Sequence, residues 1–209
     1  MMATTITQAV KWIQSGFVVV APLEHGYVFL VDAFDHDAVR TMHTLRGDAL
    51  GVSAQVLVAN IGAAGGITRE ISPEAHTLMD EFWPGLLTLN VAPQVGLTWD
   101  LGDDRKLDAI SLRVPAAEFV GKVLKKTGPL ACASAAKAGS APILKVEDIE
   151  NLKSDILRVC DFGELEPGPA STVVIVKATS VVMIREGAIS FEELALAVPK
   201  ISRAKAANS

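Results

Sequence analysis

The feature that most constrains the fold is a nearly continuous apolar segment that is broken in its middle. Residues 16–34 read GFVVVAPLEHGYVFLVDAF. The interruption consists of Pro22, Glu24, His25 and Gly26. Charged and imidazole side chains are costly inside a bilayer, whereas short apolar runs bounded by turn residues are typical of buried strands. The segment therefore predicts strands at 17–21 and 27–31 around a turn, and no membrane span.

Helices and strands alternate along the rest of the chain. Apolar residues at helical spacing predict a helix over 5–15, and Asp35 is expected to cap a second helix with Ala38, Val39, Met42 and Leu45 on its apolar side. Further helices are expected at 116–127, 145–153 and 190–197, and strands at 55–59, 87–91, 109–114, 130–134, 156–160, 172–176 and 181–185. The alternation predicts an α/β fold, a twisted mixed sheet flanked by helices.

The segment between the strand at 55–59 and the next helix contains Gly62, Gly65 and Gly66. These glycines are interpreted as a flexible connection. Ser72-Pro73-Glu74 is typical of a helix start, and Phe82-Trp83-Pro84-Gly85 is expected to end that helix.

Composition limits the domain count and the class of partner. The chain has 209 residues, half of them apolar, which is enough for one sizeable core. We expect a single domain over 1–199 and a flexible tail over 200–209. A formal charge of −5 gives no general attraction to nucleic-acid phosphates. No secretory signal is visible in the sequence. Cys132 and Cys160 are too isolated to form a disulfide framework or a metal site. The sequence therefore favours a cytoplasmic protein without a bound metal.

The common nucleotide, zinc and hydrolase motifs are absent from the sequence, so function must come from dispersed residues. Arg46, Arg113 and Arg185 each lie near the end of a predicted element, where a guanidinium can meet a phosphate. Ser134 and Ser171 lie at the ends of apolar strands, where hydroxyls can face a ligand. Taken alone, each of these residues is better explained as a surface arginine or a strand-end cap.

The order of these residues resembles the YrdC-like family of threonylcarbamoyl-AMP synthases over nearly the whole chain. The segments that carry the resemblance are Ala21-Pro22 with Tyr27, Leu45-Arg46-Gly47-Asp48, the run from Phe82 to Leu89 (FWPGLLTL), Arg113-Val114-Pro115, Gly128-Pro129-Leu130 with Ser134-Ala135-Ala136, Ser171-Thr172-Val173, and Arg185 to Ile189. The run FWPGLLTL is nearly identical to the family's Phe-Trp-Pro-Gly-Pro-Leu-Thr-Leu and is the most specific of them.

The resemblance implies a broad concave cleft and a reaction of ATP, L-threonine and bicarbonate that yields threonylcarbamoyl-AMP, on the route to threonylcarbamoyladenosine in tRNA. It further implies Mg²⁺ bound together with ATP. The residues implied for nucleotide and phosphate binding are Arg46, Thr88, Arg113, Ser134, Ser171 and Arg185. Those implied for the amino-acid pocket are Leu23, His25 and Tyr27.

Several of these positions depart from the family's pattern. Leu23 and His25 replace the two threonines of the family's Pro-Thr-Asp-Thr motif. Arg46 and Asp48 stand in place of the lysine and the arginine of its Lys-x-Arg motif. Ala136 replaces the asparagine of its Ser-x-Asn motif. A carboxylate at position 48 would repel a phosphate if it faced the cleft. A shift of this loop by one residue would instead place it outside.

Three functions remain open at this point. The first is a working threonylcarbamoyl-AMP synthase. The second is a non-catalytic paralogue that binds a nucleotide, tRNA or double-stranded RNA, which the replacements favour. The third is an enzyme acting on another small carboxylate or carbamoyl substrate, with Leu23 and His25 defining its pocket.

Overall fold

A computed structural model describes residues 4–150 and 152–204, and it contains ten strands and six α-helices within these ranges. The helices are α1 (Ile6–Gln14), α2 (His36–Arg46), α3 (Ile61–Ile67), α4 (Pro73–Phe82), α5 (Glu118–Thr127) and α6 (Phe191–Ala197). The strands are β1 (Val18–Leu23), β2 (Gly26–Asp32), β3 (Gln55–Leu57), β4 (Leu87–Val91), β5 (Ile110–Arg113), β6 (Leu130–Ser134), β7 (Leu157–Val159), β8 (Thr172–Lys177), β9 (Ser180–Arg185) and β10 (Ser202–Arg203).

All ten strands form one mixed sheet in the order β10-β9-β8-β4-β5-β3-β6-β2-β1-β7. Hairpins pair β1 with β2 and β8 with β9 in antiparallel fashion. Parallel pairing joins β3 to β5, β4 to β8 and β1 to β7, so strands distant in sequence become neighbours. The predicted α/β class and mixed sheet are confirmed.

Helices cover both faces of the sheet, which explains why β1 and β2 are apolar without alternation. Val18 and Val20 pack into one apolar cluster with residues of α2 and α4, whereas Val19 and Ala21 pack on the other face with α1 and α5. The two strands meet at a turn of Glu24 and His25, as the sequence predicts. No helix within the described ranges has the length and apolar character needed to cross a membrane.

The predicted helix starts are confirmed by their caps. Asp35 accepts hydrogen bonds from the backbone N–H groups of Asp37 and Ala38 at the start of α2. Ser72 caps α4 by accepting from Ala75 N, and Pro73 occupies the first helical turn. Each cap satisfies backbone donors that have no partner inside the helix.

Three predictions about local structure are wrong. The segment with Gly62, Gly65 and Gly66 is helix α3 and not a flexible connection, because Asn60 caps it and Ala64 and Ile67 anchor it in the core. The helix expected over 145–153 is only a 3₁₀ turn at Val146–Asp148. A single turn is enough to bury Val146 and Ile149.

The third concerns the tail expected over 200–209, where Ser202–Arg203 pairs with β9 as strand β10. Residues 205–209 of that tail, and residue 151 of the expected helix, lie outside the described residues.

Glycine is unfavourable inside a helix, and this gives a test of α3. At Gly66 a Cβ atom would meet open space, so Gly66→Ala should raise the free energy of unfolding by about 0.5–1 kcal/mol in urea denaturation. Gly47→Ala is the matched control, since Gly47 has φ 66° at the end of α2 and alanine there should destabilise the protein. Destabilisation by Gly66→Ala would contradict the helical assignment.

Candidate functional site

A cleft of about 280 Å³ lies where the β1–β2 turn meets the ends of β5, β6 and β9 and the beginning of β8. It brings together seven of the residues singled out in the sequence: Leu23, His25, Tyr27, Arg113, Ser134, Ser171 and Arg185. A larger hollow of about 670 Å³ lies beside the starts of α3 and α5. None of the predicted site residues lines it, so the smaller cleft is the candidate site.

A hydrogen-bonded chain of polar side chains runs from the floor of the cleft to its rim. Arg185 donates through Nε and Nη2 to the carbonyl oxygen of Ser171, at 3.1 and 2.8 Å, and through Nη2 to Ser171 Oγ at 3.0 Å. Ser171 Oγ lies 3.0 Å from Thr88 Oγ1, which accepts from Gln55 Nε2 at 2.8 Å. The chain holds the Arg185 guanidinium in one orientation at an exposed position of the cleft.

Thr88 is therefore a supporting residue, because it is buried beneath Ser171 and does not line the cleft. Gln55, its donor, does line the cleft and was missed by the sequence reasoning. The available signal was a polar side chain at the start of an otherwise apolar strand, β3.

An ion pair fixes the second guanidinium of the cleft. Arg113 Nη2 contacts Glu24 Oε2, and both side chains are largely buried. Arg113 Nε donates to Gly85 O at 2.8 Å, and Glu24 Oε1 accepts from Ala116 N at 2.7 Å. Among the described residues neither Nη2 nor Oε2 has a further hydrogen-bond partner, so the two atoms satisfy each other. The charge of Arg113 is thus largely compensated before any ligand arrives.

Arg46 and Asp48 lie beside the cleft and not in it. Asp48 Oδ2 accepts from Arg46 Nε and from His43 Nδ1, each at 2.8 Å, and the Asp48 side chain is 1% exposed. Arg46 Nη1 donates to the carbonyl oxygens of Ser134 and Ala136. The expectation that Asp48 turns a negative charge toward the ligand is not met, because that charge is engaged inside the loop.

The pKa of Asp48 reflects this environment. Burial raises the pKa, but the hydrogen bonds from Arg46 and His43 outweigh burial and hold the pKa below its ordinary value. Asp48 is therefore ionised at neutral pH and contributes to stability as the common acceptor of the two side chains. Ala136 is buried at the edge of this cluster and offers no side-chain amide to the cleft.

Tyr27 lines the cleft, but its hydroxyl is bonded within the protein. Its side chain is fully buried, and its hydroxyl donates to Gly163 O at 2.8 Å and accepts from Phe162 N at 2.9 Å. Burial raises the pKa of the phenol. Tyr27 therefore fastens the segment around Gly163, and its hydroxyl is not available to a ligand.

The chemistry of the remaining lining residues is limited. Burial raises the pKa of Cys132 to about 12, so the residue is a neutral thiol and not a nucleophile at neutral pH. Within residues 4–150 and 152–204 no group of three His, Cys, Asp or Glu side chains is arranged to hold a metal ion. The cleft can bind anions through guanidinium and hydroxyl groups, and it can accept a proton only at histidine or at the paired glutamate.

Comparison with known proteins gives one family over most of the chain. The model of the Sua5/YciO/YrdC family, described as "Telomere recombination", matches residues 11–187. A protein of Mycobacterium tuberculosis called a putative threonylcarbamoyl-AMP synthase is 31% identical over 191 residues, which cover 91% of this chain and 87% of that one. The threonylcarbamoyl-AMP synthase of Pyrococcus abyssi is 28% identical over 92% of this chain and 57% of its own length.

Solved structures agree with this result. The structure of P. abyssi Sua5 complexed with L-threonine superposes with a TM-score of 0.85 at 26% identity, covering 95% of this chain and 58% of that one. Escherichia coli YciO gives a TM-score of 0.78 over 90% of this chain and 92% of its own, and at 23% identity it supports the fold alone. The chain thus spans little more than half of the Sua5 protein.

The Asp48 cluster predicts a pH-dependent loss of stability. Asp48→Asn should lower the free energy of unfolding by about 1.5–3 kcal/mol at pH 7, because the variant loses charge-assisted hydrogen bonds. Since the folded-state pKa is lowered, this contribution is complete above the ordinary pKa and is lost as pH falls through the folded value. The difference in urea denaturation should therefore shrink below about pH 4.

The matched control is Asp37→Asn, whose side chain is 95% exposed on α2 and faces Arg40 at 3.6 Å. This variant should change stability by less than about 0.5 kcal/mol. An Asp48→Asn protein as stable as the parent at pH 7 would show that the cluster does not hold the loop.

Proposed function

Because the chain belongs to the Sua5/YciO/YrdC family, we propose that it forms threonylcarbamoyl-AMP from ATP, L-threonine and bicarbonate, a step toward threonylcarbamoyladenosine in tRNA. The observation that carries the proposal is the convergence of Arg113, Ser134, Ser171 and Arg185 on one cleft. The pairing of Asp48 with His43 and Arg46 supports the proposal further, because the Asp48 carboxylate does not face the cleft and so does not repel a phosphate there.

In this proposal the amino group of threonine combines with bicarbonate to give a carbamate and water. A carbamate oxygen then attacks the α-phosphate of ATP, the bond between the α-phosphorus and the bridging oxygen breaks, and pyrophosphate leaves. The protein's contribution is positioning and charge compensation. Arg185, anchored on Ser171, offers its remaining N–H groups to a phosphate or carboxylate oxygen.

In this proposal Mg²⁺ enters the cleft bound to ATP. The described residues do not form a metal-binding cluster of their own, so the protein's guanidinium and hydroxyl groups are assigned to the phosphate and carboxylate oxygens only. Ser134 Oγ lies at the exposed end of β6, where it can donate to such an oxygen.

A second function is favoured by one observation, the prior engagement of two of the three arginines. Arg113 is paired with Glu24, and Arg46 is paired with Asp48 and with two carbonyl oxygens. Arg185 is exposed in the cleft, and no carboxylate of the described residues compensates its charge. A triphosphate would be weakly neutralised, and the protein would bind a nucleotide without efficient turnover.

The decisive test is an assay with purified protein, ATP, Mg²⁺, L-threonine and labelled bicarbonate, with an intact family member as positive control. We expect threonylcarbamoyl-AMP and pyrophosphate to form, and Arg185→Ala to lower kcat/KM by roughly 10- to 100-fold through the loss of a charge-assisted contact. Arg69→Ala, at an exposed position that does not line the cleft, is the matched control. Saturable ATP binding without product would select the second function.

The Glu24–Arg113 pair predicts the effect of releasing one charge. Glu24→Gln keeps an oxygen for Ala116 N but leaves Arg113 uncompensated. The KM for ATP should fall by about five- to tenfold, equivalent to about 1–1.4 kcal/mol of added phosphate attraction. Steady-state kinetics at two salt concentrations checks this result, since the gain should shrink at high ionic strength. An unchanged or higher KM would show that Arg113 does not face the phosphates.

A further inference from the structure

His25 stands at the mouth of the cleft against a segment without regular secondary structure, residues 161–170, here called the strap. Gly168, Pro169 and Ala170 of the strap line the cleft together with His25. Tyr27 holds one end of the strap through Phe162 and Gly163. The strap packs so closely on the histidine that a Cβ added at Gly168 would collide with three atoms of the imidazole ring.

One hydrogen bond determines the tautomer of this ring. His25 Nδ1 lies 3.1 Å from the carbonyl oxygen of Glu166, which can only accept. The hydrogen bond therefore requires a proton on Nδ1, and in the neutral imidazole this leaves a lone pair on Nε2. Among the described residues Nε2 has no hydrogen-bond partner.

Most of the other ionisable groups around His25 have a partner within the protein. They are Glu24 and Arg113, paired with each other; Arg185, held on Ser171; Tyr27, bonded to the strap; the neutral thiol of Cys132; and Glu166, whose side chain is exposed. Gln55 and Ser134 offer uncharged acceptors to the same cleft. Among its ionisable groups, His25 Nε2 is the acceptor that no described residue occupies, while Arg185 keeps N–H groups free for a ligand. A ligand that carries an ammonium and a carboxylate finds an opposite partner for each.

We propose that His25 is a specificity-determining residue whose Nε2 accepts a hydrogen bond from the amino group of the amino-acid substrate. This inference rests on the proposed function, since it assigns a residue to the threonine of that reaction. Protonation of His25 converts Nε2 into a donor and puts a positive charge against the ammonium. Binding of the amino acid is therefore weakened in acid.

The tautomer is tested first, without any ligand, by long-range ¹H–¹⁵N spectroscopy of the imidazole rings at pH 8. The His25 signals are assigned as those missing in His25→Gln. We expect the Nδ1–H tautomer at His25, and the exposed His76 of α4 serves as an internal reference. An Nε2–H tautomer at His25 would overturn the proposal, because no acceptor would then face the cleft.

Recognition is tested by calorimetric titration of the full chain with L-threonine at pH 8 and pH 5.5. The Kd of the parent protein should rise roughly tenfold at pH 5.5, because a proton on Nε2 would remove the acceptor and repel the ammonium. In His25→Gln, which keeps an acceptor but does not titrate, the Kd should change by less than about twofold. His76→Gln is the matched control and should behave like the parent.

The outcomes separate this inference from the proposed reaction. Equal affinity at the two pH values in the parent would overturn the role of His25 even if threonylcarbamoyl-AMP were formed. A pH-dependent affinity that disappears in His25→Gln would support that role even if no product were formed, and only the reaction would be withdrawn. Absence of threonine binding at both pH values would overturn the role of His25, and the assay for threonylcarbamoyl-AMP would then decide the reaction separately.

Discussion

The ion pair between Glu24 and Arg113 joins parts of the sheet that are separated by two strands. Glu24 belongs to the β1–β2 turn, Arg113 ends β5, and β3 and β6 lie between β5 and β2 in the strand order. Breaking a buried pair by removing one partner is costly, because an uncompensated charge remains. The pair therefore fixes the position of three groups. They are the turn that carries His25, the backbone at Ala116 and the guanidinium of Arg113.

Other charged side chains around the site are also paired within the protein. Asp48 is the common acceptor of His43 and Arg46, and Arg46 in turn donates to the carbonyl oxygens of Ser134 and Ala136. Two of the three arginines that the sequence suggested for phosphate binding, Arg46 and Arg113, thus have a carboxylate partner within the protein. Much of the positive charge around the cleft is thus compensated internally, which leaves Arg185, His25 and the hydroxyl of Ser134 with free hydrogen-bonding capacity.

Most of the fold was accessible from the sequence, and its errors have identifiable causes. The broken apolar segment predicted the β1–β2 hairpin, and Asp35 and Ser72 predicted helix starts, because caps and turns are determined by neighbouring residues. Helix α3 was missed because burial of Ala64 and Ile67 outweighs the low helix propensity of its glycines. Propensity is a local quantity, and burial is not.

The site was less accessible for the same reason. The sequence named most residues of the cleft, but not which of their polar atoms are already bonded. The hydroxyl of Tyr27 is used by residues more than a hundred positions away, and the carboxylate of Asp48 by its own loop. Such assignments depend on tertiary contacts that no spacing rule contains.

The parallel pairing of β4 with β8 and of β1 with β7 has a consequence for how the cleft is made. Its lining runs from Leu23 in the first hairpin to Arg185 near the end of β9, and long loops must close before these residues meet. Loop closure of this kind slows folding, because chain entropy is lost before contacts form. During synthesis the ribosome must release the chain through Arg185 before all the residues of this surface can meet. Early ligand capture therefore cannot guide the folding of the first hairpin.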